Sequence, residues 1–170
     1  MQGIKAFIPT TAKVNYLQFL LKVGFHSLDF GSFVSHRAVP QMRDTAKVLD
    51  QLDLSDTKTK LLAIVANLRG TETALCFEQI EYIGFPFSIS ENFQMRNTHK
   101  TIPESLHTLE QIKELTDKCN KTLVVYLSMG FGNPYGDPWS VDVVSKWVER
   151  LAQMEVKIIS LSDTVGQAVL

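Results

Sequence analysis

Short apolar runs alternate with stretches of helical periodicity along the whole of this chain, and that alternation restricts its fold more than any other feature. Phe25, Leu28, Phe30 and Phe33 mark a first strand, entered from an amphipathic helix that carries Val14, Leu17, Leu20 and Leu21. Thr10 and Thr11 can cap that helix and Gly24 ends it. Arg43 to Leu52 is helical in character, and Leu61-Leu-Ala-Ile-Val-Ala66 reads as a strand buried on both faces. Thr71 to Gln79 is a short helix, and Ile80 to Ser88 the next strand, weakened at its far end by Gly84 and Pro86. Ser90 to Thr98 reads as a polar loop. Thr101-Ile-Pro-Glu104 then has the signature of a capped helix start, and Leu106, Leu109, Ile112 and Leu115 follow at helical spacing. Thr122 to Ser128 is a strand and Met129 to Gly136 a glycine-rich loop. Val141, Val144, Val148 and Leu151 mark a last helix, before a strand over Val156 to Leu161. About five strands and five helices in alternation call for an α/β fold, a parallel sheet with helical crossovers, in one domain spanning 1–170.

Composition narrows the function classes. Hydrophobic residues make up 45% and charged residues 21%, ordinary values for a globular domain. The formal net charge is −1 and no basic stripe appears, which argues against nucleic acid. No apolar run approaches the ~18 residues that span a bilayer, so no membrane partner is expected. The apolar part of the N-terminal segment is too short for a signal peptide. Cys76 and Cys119 match no metal spacing and read as reduced, half-buried thiols in a cytoplasmic protein.

The polar residues gather just past the strands' C-terminal ends: Ser32 and Ser35, Asn67 and Arg69, Ser88, Ser90 and Glu91, Ser128 and Asn133, Asp163 and Thr164. In a parallel sheet or barrel those ends lie on one face, so the groups converge. Polar βα loops and helix caps would account for part of the same pattern. Asp29 is different, because it sits inside an apolar strand, where a carboxylate is expensive unless paired or bound. It is either a structural acid held by a neighbouring amide or by Arg37, or a functional one. His26, His36, His99 and His107 form no ligand pair, and neither a phosphate-binding glycine loop nor a nucleophile elbow is present.

Several motifs occur together in one order: Ser32-Phe-Val-Ser followed by Pro40-Gln-Met42, Asn67-Leu-Arg-Gly70, Ser90-Glu-Asn-Phe93, Gly132-Asn-Pro-Tyr135 and Ser160-Leu-Ser-Asp-Thr-Val-Gly166. On these the chain resembles hydroxymethylglutaryl-CoA lyase, in the metal-dependent lyase and aldolase family built on a TIM barrel. The resemblance implies a partial (β/α)8 barrel comprising the second to sixth strands. It also implies cleavage of an acyl-CoA, hydroxymethylglutaryl-CoA, to acetyl-CoA and acetoacetate with a divalent cation, magnesium or manganese. Carried over by position, Asp29 stands where the family has a glutamate, and Asp163 is the acid of an aspartate-threonine pair that lines the site. These two are the expected catalytic residues. Ser32, Asn67, Asn133 and Thr164 are the expected substrate contacts.

The departures from the family pattern matter as much. The family's arginine-aspartate pair falls before Met1, and its His-x-His ligands fall beyond Leu170. Met129 and Asn133 replace cysteines of the human-type enzymes, and Val124 replaces an arginine. No tight metal binding is therefore expected of this chain alone, and no activity without the rest of a barrel. Two open sheet edges should make it a homo-oligomer. The alternatives are a related aldolase or Claisen-type enzyme acting on another acyl-CoA or oxo acid, and a non-catalytic half-barrel scaffold.

Overall fold

A computed structural model describes residues 1 and 3–168. Its elements run in chain order: α1 (Thr10–Leu21), β1 (Ser27–Ser32), α2 (Thr45–Asp50), β2 (Lys60–Ile64), α3 (Leu68–Leu75), β3 (Ile80–Ser88), α4 (Glu91–Thr98), α5 (Ile102–Lys118), β4 (Thr122–Ser128), α6 (Val141–Gln153) and β5 (Ile158–Ser162). All four strand pairings are parallel, in the order β1-β2-β3-β4-β5. Sequential order without a reversal is the order of a barrel, whereas a doubly wound sheet switches direction part-way.

Every helix packs on the same face of the sheet. Phe30, Leu61, Ala63, Ile83, Phe85, Val125 and Leu127 point into one continuous core shared with Leu17, Leu49, Ala74, Leu109, Ile112 and Leu151 from the helices. The other face carries a separate small cluster, Leu62, Tyr82 and Val124, with Ile64 and Tyr126 against it. That helix-free side is the inside of the partial barrel.

Three departures from the sequence reading have a local physical cause. Ser90 to Thr98 is no loop: Ser90 Oγ accepts the Phe93 N–H and caps α4, whose polar composition hides its helical character. Pro86 does not weaken β3, which runs unbroken to Ser88. Pairing with β2 stops at Gly84 while pairing with β4 continues to Ser88, so Pro86 lies where β3 has a neighbour on one side only. Thr10 does not cap α1. The cap position is Pro9, and the Thr10 hydroxyl donates instead to Asp44.

Candidate functional site on the concave face

Asp29 pairs in register with Leu62, and Leu62 with Tyr82, so its carboxylate stands on the concave face among that apolar cluster. A bulge between Asp29 and Gly31 then turns Gly31 towards Thr45 of α2. The side chain of Asp29 is open to water on one side. Enough protein crowds its other sides to push its pKa up to about 6, against opposing pulls from the Gly31 N–H and the N-terminal amine. The Asp29 charge, added to burial, raises the Tyr126 phenol in turn. A β1 carboxylate and a β4 phenol feel each other because the sheet curls. Gly84 permits the same convergence, since a Cβ there would lie 2.6 Å from Ile64 Cδ1 and 2.9 Å from Leu62 Cδ2. Asp29 also borders a cleft of about 880 Å³ beside the open edge of β1, lined further by Leu17, Leu20, Phe30, Gly31 and Met42.

Above this layer, Ser88, Ser128 and Ser162 form one row across β3, β4 and β5. Ser88 and Ser128 are buried. The sequence marks Ser88 and Ser128 as strand-end residues but singles out neither them nor the two tyrosines. Their signal is the alternation Val124, Tyr126, Ser128 within β4, which a continuous apolar run obscures.

The expected site residues fall into two groups. Asn67 Oδ1 accepts the Gly70 N–H at 2.9 Å and caps α3. Asn133 Oδ1 accepts the Tyr135 and Asp137 N–H groups, and its Nδ2 donates to the Asp137 carbonyl, which folds the glycine-rich loop. Thr164 Oγ1 accepts the Met129 N–H and ties the end of β5 to β4. Asp163 accepts the Gln167 and Ala168 N–H groups through its two oxygens, and those amides hold its carboxyl below the usual range. These four side chains shape the rim. Asp29 and Ser32 form the second group. Ser32 is buried, and its Oγ has no hydrogen-bond partner among the described residues. A buried hydroxyl left unpaired is destabilising unless something completes it. Asp29 and Asp163 themselves are not brought together, because β1 and β5 are opposite edges of the sheet. Nor does Arg37 form an ion pair with Asp29 among the described residues.

The two cysteines are exposed rather than half-buried, each at the C-terminal end of a helix, α3 for Cys76 and α5 for Cys119. Among the described residues no helix is long and apolar enough to cross a membrane. No group of three or more His, Cys, Asp or Glu side chains comes together there to hold a metal ion. With Asp163 engaged by backbone amides and Asp29 at the far edge, the residues present do not fit a divalent cation by themselves.

No protein-family profile matches the chain. It is 33% identical over 168 residues to a hydroxymethylglutaryl-CoA lyase of Bacillus subtilis, covering 99% of this chain and 56% of that protein. The crystal structure of a Bacillus subtilis HMG-CoA lyase superposes with a TM-score of 0.90 at 32% identity, over 98% of this chain and 55% of that one. An HMG-CoA lyase from Acinetobacter baumannii, solved with coenzyme A and 3-methylmalate, superposes with a TM-score of 0.90 at 25% identity, over 99% of this chain and 54% of that one. The chain is thus a homologue of hydroxymethylglutaryl-CoA lyases and spans about half the length of the relatives it matches. Its five parallel strands correspond to about half of their barrel.

Proposed function

We propose that this chain forms the second to sixth strands of a carbon–carbon lyase barrel whose substrate is hydroxymethylglutaryl-CoA, and that it turns over only with the rest of a barrel. One observation carries this reading: the end-to-end superposition on lyase structures, with Asp29 as an ionisable group on the face that a barrel encloses. The reaction removes the proton of the tertiary hydroxyl. The C–C bond then breaks, its electron pair moves to the carbon beside the thioester, and that carbon takes a proton. The products are acetoacetate and acetyl-CoA. In this reading Asp29, titrating near 6, takes the hydroxyl proton at its carboxylate. The unpartnered Ser32 hydroxyl meets a substrate oxygen. Asp163, Thr164, Asn133 and Asn67 hold the rim loops in place around the acyl group. The cation that the family chemistry implies has no site in the residues described. Exposed, unpaired Cys76 and Cys119 fit a reducing, cytoplasmic setting.

A second reading has an observation of its own. Val124 packs with Leu62 and Tyr82 into an apolar patch on the concave face, which favours a related enzyme whose acyl group presents a less polar end there. The test grafts this chain into a hydroxymethylglutaryl-CoA lyase in place of the matching half and assays the graft against several acyl-CoA thioesters. Preference for hydroxymethylglutaryl-CoA supports the first reading, and preference for a thioester lacking the distal carboxylate supports the second. A folded graft that cleaves none of them sinks both.

A further inference from the structure

β1 carries one residue more than β2 can match. Asp29 pairs with Leu62 and Ser32 with Ile64, so three steps along β1 span two along β2. Plain alternation would put positions 29 and 32 on opposite faces. The bulge absorbs the extra residue. Phe30 points into the core under the helices. Gly31 faces the same way, since a Cβ on it would lie 2.7 Å from Thr45 Cγ2. Ser32 then returns to the concave side, paired with Ile64, which packs on the concave cluster. The two candidate site residues of β1 share a face only because of that bulge. Thr45, the first residue of α2, closes on it. Its methyl fills the place of the missing Gly31 side chain. Its hydroxyl accepts the Ser32 N–H at 3.3 Å and donates to the Met42 carbonyl at 2.8 Å. Thr45 is itself braced from behind, because the adjacent Asp44 carboxylate accepts from Lys13 and Thr10 of α1.

We propose that Thr45 is a positioning residue, whose hydroxyl pins the bulge and so holds Asp29 and Ser32 together on the concave face. What those two do to a substrate rests on the lyase reading above, whereas their placement does not. The bulge also presents the Gly31 N–H, which pulls on the Asp29 carboxylate. Loosening the bulge therefore reaches the acid as well as the serine. A threonine that only opened a helix would act on neither.

Carboxyl carbon-13 NMR and amide hydrogen exchange on the 170-residue chain test this. Thr45→Val keeps the methyl and loses the hydroxyl, and Thr45→Ser does the reverse. In Thr45→Val the Ser32 amide should exchange at least about tenfold faster. The Asp29 titration should move up from about 6 in the same variant, while Thr45→Ser keeps both near the parent. The other ionisable groups around Asp29 are Tyr82 and Tyr126 on the same face and the N-terminal amine, and all three lie outside α2. Thr45→Ala serves if Thr45→Val does not fold. An unmoved Asp29 in a folded variant overturns the proposal, even beside a faster Ser32 amide, because Thr45 is then a local tie only. An unmoved Ser32 amide, or equal changes in Thr45→Val and Thr45→Ser, overturns it too. None of these outcomes touches the lyase reading. A grafted barrel that is inactive with Thr45 intact counts against that reading and leaves the placement standing.

Discussion

Asp29 holds a proton in the folded chain at pH values where an unfolded carboxylate has lost it. Its pKa rises from 3.8 to about 6 because surrounding protein disfavours the charge. Folding therefore gains from that proton fully below about pH 4 and loses the gain as pH rises through about 6. Asp29→Asn has no such titration. Urea unfolding should show the variant more stable than the parent above pH 6, with the difference vanishing as pH falls towards 4. A second residue pair carries structure rather than chemistry. Lys13, 2% exposed, donates to Asp44 Oδ1 at 2.6 Å and also to the Gln41 carbonyl. Burial alone would raise the Asp44 carboxyl, but the bonds from Lys13 and Thr10 more than offset it and hold it low. Lys13→Met strands that carboxylate, and we expect a loss of ~3–5 kcal/mol in unfolding free energy. Asp29 was legible in the sequence because an acid inside an apolar run is conspicuous. Lys13 and Asp44 were not: they lie 31 positions apart, one within α1 and the other just before α2, and nothing local records their contact.

At the scale of elements, strands read well where apolar residues run without interruption. The sequence bounds β4 at Thr122–Ser128, as the structure has it, because neither face of the strand is left to water. Read from sequence, the last strand starts two residues early, since Val156 belongs to the core but not to the ladder. Read from sequence, α3 starts three residues late, at Thr71, because Asn67 caps a helix whose first turn holds one partly buried apolar residue, Leu68. α5 was the clearest helix, and its start is the most testable. Thr101 Oγ1 accepts the Glu104 N–H while the Glu104 carboxylate accepts the Thr101 N–H, a reciprocal cap. Thr101→Ala should lower the unfolding free energy by about 1 kcal/mol, read as an earlier urea midpoint at unchanged slope. The rim residues show why a site is harder to read than a fold. Asn67, Asn133, Asp163 and Thr164 have the composition of ligand contacts, yet their oxygens accept backbone amides. An oxygen that accepts one amide keeps a lone pair for a ligand, so capping and binding share the same residue types.

The whole molecule is a curved sheet with helices outside and two bare edges among the described residues, β1 and β5. Apolar side chains stay exposed near both: Ile158, Leu161 and Val165 beside β5, and Tyr16, Phe19 and Val23 along α1 and just beyond it. Unpaired edge amides and carbonyls template further strands, and a parallel edge accepts another parallel edge without a change of direction. The isolated chain should therefore associate with itself, with a sedimentation coefficient that climbs with concentration. A single monomeric boundary at high concentration would contradict this. The central claim, that the concave face with Asp29 does the chemistry of a hydroxymethylglutaryl-CoA lyase, is tested most directly by one rate. It is the rate of acetoacetate release from hydroxymethylglutaryl-CoA by the grafted barrel, measured with Asp29 and with Asp29→Ala. A drop of about a hundredfold or more in kcat with the fold retained is the predicted result, and an unchanged rate would contradict the account.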